Sequence, residues 1–203
     1  GLAMNDRDCD LPTQSSSTAS AVLTLPVDGY PRSETDEILV SATGSAKIVS
    51  RAELITLRRL YKDANKTFVF TNGCFDLMHR GHAEYLCRAR AIGDCLAVGL
   101  NDDAGVRALK GAGRPLLPQE DRAVLLAALE CVSHVCIFPE QSVESLVVDL
   151  LPDVLVKGGD YTHDEIVGRA LVEEKGGRVQ VLPLWRGLSS SELVRRIRAL
   201  PDE

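Results

Sequence analysis

Five short, almost wholly apolar runs, at 67–71, 95–100, 134–138, 154–157 and 179–182, recur along this chain. A strand that is apolar at nearly every position is buried on both faces, as strands of a covered parallel sheet are. Between the runs lie segments with helical spacing of apolar residues, at 83–92, 103–109, 119–131, 143–150, 164–174 and 191–200. Strands alternating with helices in this way predict a Rossmann-like, doubly wound parallel sheet in an α/β domain. One more amphipathic helix precedes the first strand. Ser50 and Glu53 have capping-box spacing, Leu54, Leu57, Leu60 and Tyr61 supply the apolar stripe, and the helix ends near 64–65. The expected organisation is a single domain over 46–203 with a flexible N-terminal arm at 1–45. The arm is rich in Ser, Thr, Asp, Gly and Pro and has no periodic apolar face, so it is expected to be disordered or loosely packed. Its short run at 21–25 is a candidate edge strand.

Composition sets the limits on function. With 203 residues, 45% of them hydrophobic, the chain can bury one sizeable core. A formal net charge of -6 argues against a broad electrostatic grip on nucleic acid. The apolar runs fall far short of the ~20 residues that span a bilayer, so no membrane partner is expected. The N-terminus lacks a basic start followed by an apolar core, and Asp6, Asp8 and Asp10 argue against a transit peptide. Cys9, Cys74, Cys87, Cys95, Cys131 and Cys136 form no C-x-x-C pair, which predicts free thiols in a reduced cytoplasm.

Ligands of open parallel sheets bind beyond the carboxyl ends of the strands. Polar and glycine residues cluster there three times: Thr71-Asn72-Gly73 after the first run, Asn101-Asp102 after the second, and Lys157-Gly158-Gly159-Asp160-Tyr161 after the fourth. Any βα turn favours Gly, Asn and Asp, so each cluster alone is equally an ordinary turn. After the first, His79 and His82 stand where a helix begins. Helix N-termini suit anions, and two imidazoles add hydrogen-bond donors. The same histidines with Cys74 make a weaker zinc reading, since no fourth ligand is evident and Arg80 opposes a dication. The loop from Leu109 to Pro115 carries Lys110 and Arg114 among glycines, either as a solvated loop or as a cationic flap over phosphates. Arg122 sits early in its helix, where it opposes the dipole unless a polyphosphate is near. Ser189, Ser190 and Ser191 open the last helix; Ser189 and Glu192 have capping-box spacing, and the same hydroxyls suit a phosphate. Neither a hydrolase G-x-S-x-G nor a phosphate-loop or dinucleotide glycine motif is present.

At His79-Arg80-Gly81-His82 the chain resembles the H-x-G-H nucleotidyltransferase superfamily, which includes the cytidylyltransferases. Within it, the sequence is most similar to the adenylyltransferase domain of bifunctional heptose-phosphate kinase/adenylyltransferases. The residues that carry this likeness are 70–76 (F-T-N-G-C-F-D), 109–115 (L-K-G-A-G-R-P), 120–122 (E-D-R), 128–132 (A-L-E-C-V) and 151–161 (L-P-D-V-L-V-K-G-G-D-Y). The resemblance implies transfer of AMP from ATP to D-glycero-β-D-manno-heptose 1-phosphate, with Mg²⁺ accompanying the nucleotide. It implies catalytic roles for His79, His82, Lys110 and Arg122. Thr71, Asn72, Gly73, Phe75, Gly81, Gly158 and Asp160 would line the nucleotide and phosphate pocket, with Ser189, Ser190 and Ser191 at the last helix. Asn101, Lys157, Gly159 and Tyr161 would contact the acceptor. A homodimer and a separate upstream kinase are family-level expectations. One departure is Gly187-Leu188-Ser189-Ser190-Ser191, where the family has G-x-S-T-T. The alternative substrate reading is a cytidylyltransferase acting on glycerol 3-phosphate or a related alcohol phosphate.

Overall fold

The computed structural model describes residues 45–159, 166–183 and 189–201. The arm at 1–44 and the site candidates Asp160 and Tyr161 lie outside the described residues. A short 3₁₀ turn, Ser45–Lys47, leads into α1 (Arg51–Asp63). There follow β1 (Phe68–Gly73), α2 (Arg80–Arg90), β2 (Cys95–Asn101), α3 (Asp103–Lys110), α4 (Gln119–Ala127) and β3 (His134–Phe138). The second half contains α5 (Glu144–Leu150), β4 (Val154–Gly158), α6 (Arg169–Glu174), β5 (Arg178–Leu182) and α7 (Ser190–Arg198). The five strands form one sheet in the order β3-β2-β1-β4-β5, and every pairing is parallel. The expected doubly wound sheet is therefore present, and its order reverses between β1 and β4. At such a switch point the two flanking crossovers leave on opposite faces and open a crevice.

Alternation along the strands divides the core into two layers. Val69, Leu96, Val98, Leu100, Val135, Val154 and Val156 face one way and pack with Leu86 and Ala89 of α2 and Ala123, Leu126 and Ala127 of α4. Phe68, Phe70, Cys95, Ala97, Cys136 and Leu155 face the other way, with Leu54 of α1, Leu146, Val147 and Leu150 of α5, and Val172 of α6. The near-continuous apolar runs of the sequence are these two interleaved sets.

Helix limits differ from the sequence expectation where caps decide them. Ser50 accepts from the Glu53 amide and Glu53 returns a bond to the Ser50 amide, so the capping box of α1 forms as its spacing predicts. The second helix begins at Arg80 and not at 83, because His79 serves as its N-cap. The helix expected to run to 131 ends at Ala127; Leu129 and Val132 then make i→i−3 bonds to Leu126 and Leu129, which tighten the chain into turns before β3. Among the described residues no helix is long and apolar enough to cross a membrane.

Gly99 occupies the centre of β2, between Asn72 of β1 and Cys136 of β3. A Cβ there would stand 2.8 Å from the Phe70 ring and 3.4 Å from the Phe138 ring. Both rings are fully buried, so neither has space to yield. Gly99→Ala is expected to lower unfolding stability by about 1–3 kcal/mol through overpacking. Urea denaturation of the variant against the parent measures this.

Candidate active site at the carboxyl edge of the sheet

The chain after β1 leaves the sheet through a constrained loop. Phe75 and Leu77 both have positive φ, 46° and 51°, a conformation that costs non-glycine residues about 1–3 kcal/mol each. Asp76, between them, holds the loop in place. Its carboxylate is buried and accepts from the amides of Leu116 (3.0 Å) and Leu117 (3.2 Å) and from Arg114 Nε (2.6 Å). Burial alone would raise the Asp76 carboxyl, but the two amides and the Arg114 guanidinium outweigh it and hold the group below its ordinary value. The Asp76 carbonyl in turn accepts from Ser190 Oγ, which fixes the start of α7 against the same loop. Two helix N-termini, those of α2 and α7, therefore meet at the end of β1.

The first turn of α2 defines its histidines chemically. His79 Nδ1 accepts from the Gly81 amide at 3.1 Å, and His82 Nδ1 accepts from the His79 amide at 3.4 Å. A ring nitrogen that accepts carries no proton, so each neutral imidazole is protonated at Nε2 and offers that N–H as a donor. The rings lie 4.0 Å apart between centroids, inclined by 31°. Burial first, then His79 and Lys110, push His82 down to about 4. Burial also lowers His79. At neutral pH both rings are thus uncharged donors. The Phe75 ring packs edge-on to His82 with centroids 5.5 Å apart, and a Cβ on Gly73 would crowd the same ring at 3.0 Å. Phe75 supports His82 from within the core, since it is itself buried.

Across the switch point, Lys157 near the end of β4 donates to Asn72 Oδ1 of β1. Burial pushes the Lys157 ammonium down to about 8. Gly158 completes β4, and Gly159 follows at φ 130°, a value open to glycine, with its amide on the Leu182 carbonyl. Lys110 ends α3 exposed, yet near enough to lower the proton affinity of His82. Gly111 and Gly113 after it have φ 91° and 87°, and a Cβ at either would meet nothing within 4 Å. Ser189 and Ser191 are exposed at the start of α7; Ser189 Oγ caps the Glu192 amide at 3.1 Å.

Several residues singled out from sequence have other partners. Arg122 is fully buried, and its guanidinium donates to the carbonyls of Leu117 (3.0 Å), Cys74 (2.6 Å) and Asn101 (2.9 Å) and to the Asp103 carboxylate (2.7 Å). In this arrangement it braces the loops at the ends of β1 and β2 and does not reach outward to a phosphate. The Thr71 hydroxyl is buried on the Tyr85 hydroxyl at 2.7 Å, and Asn101 is 3% exposed with its carbonyl held by Arg122. Ser190 is buried and committed to Asp76. His79, His82, Asn72, Lys157, Gly158 and the exposed serines of α7 remain around the crevice. Asp76 and Asp103 were not among the sequence candidates, and Arg114, expected as a cation of a solvated loop or phosphate flap, pairs instead with Asp76. The F-D step at 75–76 and the R-P step at 114–115 carried them in plain view, but no spacing rule pairs residues 38 apart.

Asp76→Asn is expected to destabilise the protein by about 2–4 kcal/mol at neutral pH, because it leaves Arg114 without its charge partner. The folded-state carboxyl lies below its unfolded value. Its stabilisation is therefore complete above the ordinary carboxylate range and fades as pH falls through the folded value. Denaturation curves should show the gap between parent and variant narrowing below about pH 4.

Comparison with known proteins identifies the family. A cytidylyltransferase-like family model matches residues 70–196, from β1 into α7. The chain is 48% identical over 152 residues to the bifunctional protein HldE of Syntrophotalea carbinolica, covering 75% of this chain and 31% of that protein. It is 50% identical over 153 residues to the bifunctional protein HldE of Geotalea uraniireducens, again covering 75% of this chain and 31% of the relative. The chain thus spans about a third of the length of the curated relatives it matches. Among solved structures, that of the lipopolysaccharide core biosynthesis protein from Thermoplasma volcanium matches with a TM-score of 0.50 and 25% identity, over 59% of this chain and 97% of that one. Since the matched span 70–196 takes in more than half of the chain and all of the described site, this protein belongs to the cytidylyltransferase-like family.

Proposed function

We propose that this chain transfers AMP from ATP to D-glycero-β-D-manno-heptose 1-phosphate, giving ADP-heptose and pyrophosphate. The observation that carries the reading is the pair of neutral, Nε2-protonated histidines at the start of α2, on the same carboxyl edge of the sheet as the Asn72–Lys157 bond. The substrate assignment leans on the K-G-G step at 157–159 and on the identity to relatives whose printed name marks them as bifunctional.

The acceptor's phosphate is already a competent nucleophile, so the site needs no strong base. A phosphate oxygen of the sugar attacks the α-phosphorus of ATP, the new P–O bond forms in line, and pyrophosphate leaves. The work of the protein is alignment and charge stabilisation. His79 and His82 donate Nε2–H to the nucleotide's phosphate oxygens as charge builds on them. Lys110, at the end of α3 before the glycine loop, neutralises the departing pyrophosphate. Lys157, whose ammonium burial lowers to about 8, is still largely protonated at neutral pH, and an anion beside it would hold that proton more firmly. Ser189 and Ser191, with the α7 N-terminus, receive a further phosphate. Arg122 enters this scheme as a brace.

Mg²⁺ enters with ATP, bound to its phosphate oxygens as part of the substrate. A kinase reaction must supply the sugar 1-phosphate. The reading also carries a cytoplasmic location, where ATP is available, and a homodimer as the working assembly.

Pyrophosphate release measured with each of the four nucleoside triphosphates against heptose 1-phosphate and glycerol 3-phosphate tests the assignment. Turnover is expected with ATP and heptose 1-phosphate; turnover confined to CTP would overturn the reading. Loss of one preorganised donor typically costs about 10²–10³ in kcat, so His82→Ala should lose turnover on that scale while melting near the parent. Near-normal activity in a folded variant would remove His82 from the mechanism.

A further inference from the structure

One hydrogen bond joins the helix of the histidines to the strand beneath it. Thr71 Oγ1 and the Tyr85 hydroxyl lie 2.7 Å apart, and either can be the donor. Both residues are buried, Thr71 at 0% and Tyr85 at 6% exposure. Tyr85 stands three residues past His82 in α2, so the two share a helix face. Thr71 stands two residues past Val69 in β1, and the strand period puts both on the side that packs with α2. On that side β1 changes character step by step: Val69 is apolar, Thr71 brings a hydroxyl, and Gly73 has no side chain. Leu86 and Ala89 of α2 meet the same layer through apolar contact, which has no preferred direction. A hydroxyl–hydroxyl bond fixes both a distance and a direction. The residue after Thr71 is Asn72, which accepts from Lys157 of β4. A bond at Thr71 therefore refers the helix of His79 and His82 to the point where the strand order reverses.

We propose that Tyr85 is a positioning residue. Its hydroxyl, bonded to Thr71, sets the register of α2 on β1, and with it the place where the Nε2 donors of His79 and His82 meet a phosphate. It acts through the helix and not on the substrate. A buried hydroxyl left without a partner is costly, so each member of the pair holds the other in place. Phe at 85 and Val at 71 would fill nearly the same space in a layer that is otherwise apolar, but would leave the helix located by apolar contact alone. Donors to a developing charge act through their exact placement, so a small shift of α2 weakens the transition state more than the bound nucleotide. The kinetic consequence rests on the adenylyl transfer proposed above; the register does not.

The test uses Tyr85→Phe, Thr71→Val and their combination, followed by melting, amide hydrogen exchange and steady-state kinetics. Removing both hydroxyls together leaves neither end of this bond unpaired, so the combined variant is expected to melt near the parent. The amides of Gly81, His82 and Ala83, in the first turn of α2, are expected to exchange faster in it. With the substrates that the parent turns over, kcat is expected to fall by about tenfold to 10²-fold, with a smaller change in the KM for ATP. Thr71→Ser keeps the hydroxyl and should recover most of the kcat that Thr71→Val loses. Should the combined variant melt well below the parent, the Ser and Val variants at 71 decide between them. Exchange needs no substrate, so it judges the register even if the parent turns over no heptose 1-phosphate, a result that would sink only the proposed function. Parental exchange at the three amides would overturn the register. Parental kcat beside faster exchange would remove Tyr85 from the reaction, and equal losses in Thr71→Ser and Thr71→Val would assign the effect to the methyl group and refute the role of the bond.

Discussion

The carboxyl edge of the sheet depends on one buried guanidinium. Taking an arginine fully out of water costs several kcal/mol, which the protein recovers only when each guanidinium nitrogen finds an acceptor. Arg122 meets that condition with three carbonyls and one carboxylate drawn from four places in the chain: the ends of β1 and β2, the start of α3 and the loop before α4. Because those places are unrelated in sequence, a single planar fork sets their spacing. Asp76 does the complementary work one layer outward, a buried anion that joins the β1–α2 loop to Arg114, to two amides beyond it and to the start of α7. Loops without regular structure are thereby given fixed positions that their own backbone bonding would not supply.

This division separates groups that hold the site from groups free to act in it. The fixed charges are paired, buried Arg122 with the partly exposed Asp103 and buried Asp76 with the partly exposed Arg114. The groups around the crevice are uncharged donors, in His79 and His82, or a lysine whose charge burial has weakened. A permanent cation buried beside the histidines would hold an anion tightly in ground state and transition state alike, which does not speed chemistry. Neutral donors favour the species with more charge on its phosphate oxygens, and an anion beside Lys157 offsets the burial that lowers its ammonium to about 8.

The sheet was legible because its signal is local. Apolar runs such as 95–100 and 154–157 cannot be half-solvated, and a two-residue period assigns each side chain to a layer. Helix ends were less legible: α2 starts three residues early because a histidine takes the cap position, which Ser, Thr, Asp or Asn usually holds. The surroundings of the candidate site residues were not legible in the sequence. Arg122 and Lys110 look alike in a sequence, each a cation near glycine-rich turns. In the structure one is wholly buried among carbonyls and the other is exposed at a helix end. Burial of a charge depends on partners such as Asn101 and Cys74, 21 and 48 residues away, which no window of sequence contains.

The H-x-G-H spacing itself follows from the cap. An N-cap side chain must accept an amide from the first helical turn, and the N3 side chain must reach back to the cap amide. His79 and His82 meet both requirements through Nδ1, with Gly81 supplying the first amide. A Ser at 79 with a Glu at 82 would cap the helix at least as well, but it would place a carboxylate where the helix N-terminus invites a phosphate. Histidine is the side chain that accepts with one ring nitrogen and still donates with the other. The same two bonds that begin the helix therefore fix both tautomers, and the three-residue interval stacks the rings so that their donors leave the helix side by side. Local structure and the chemistry of the site are here one set of hydrogen bonds.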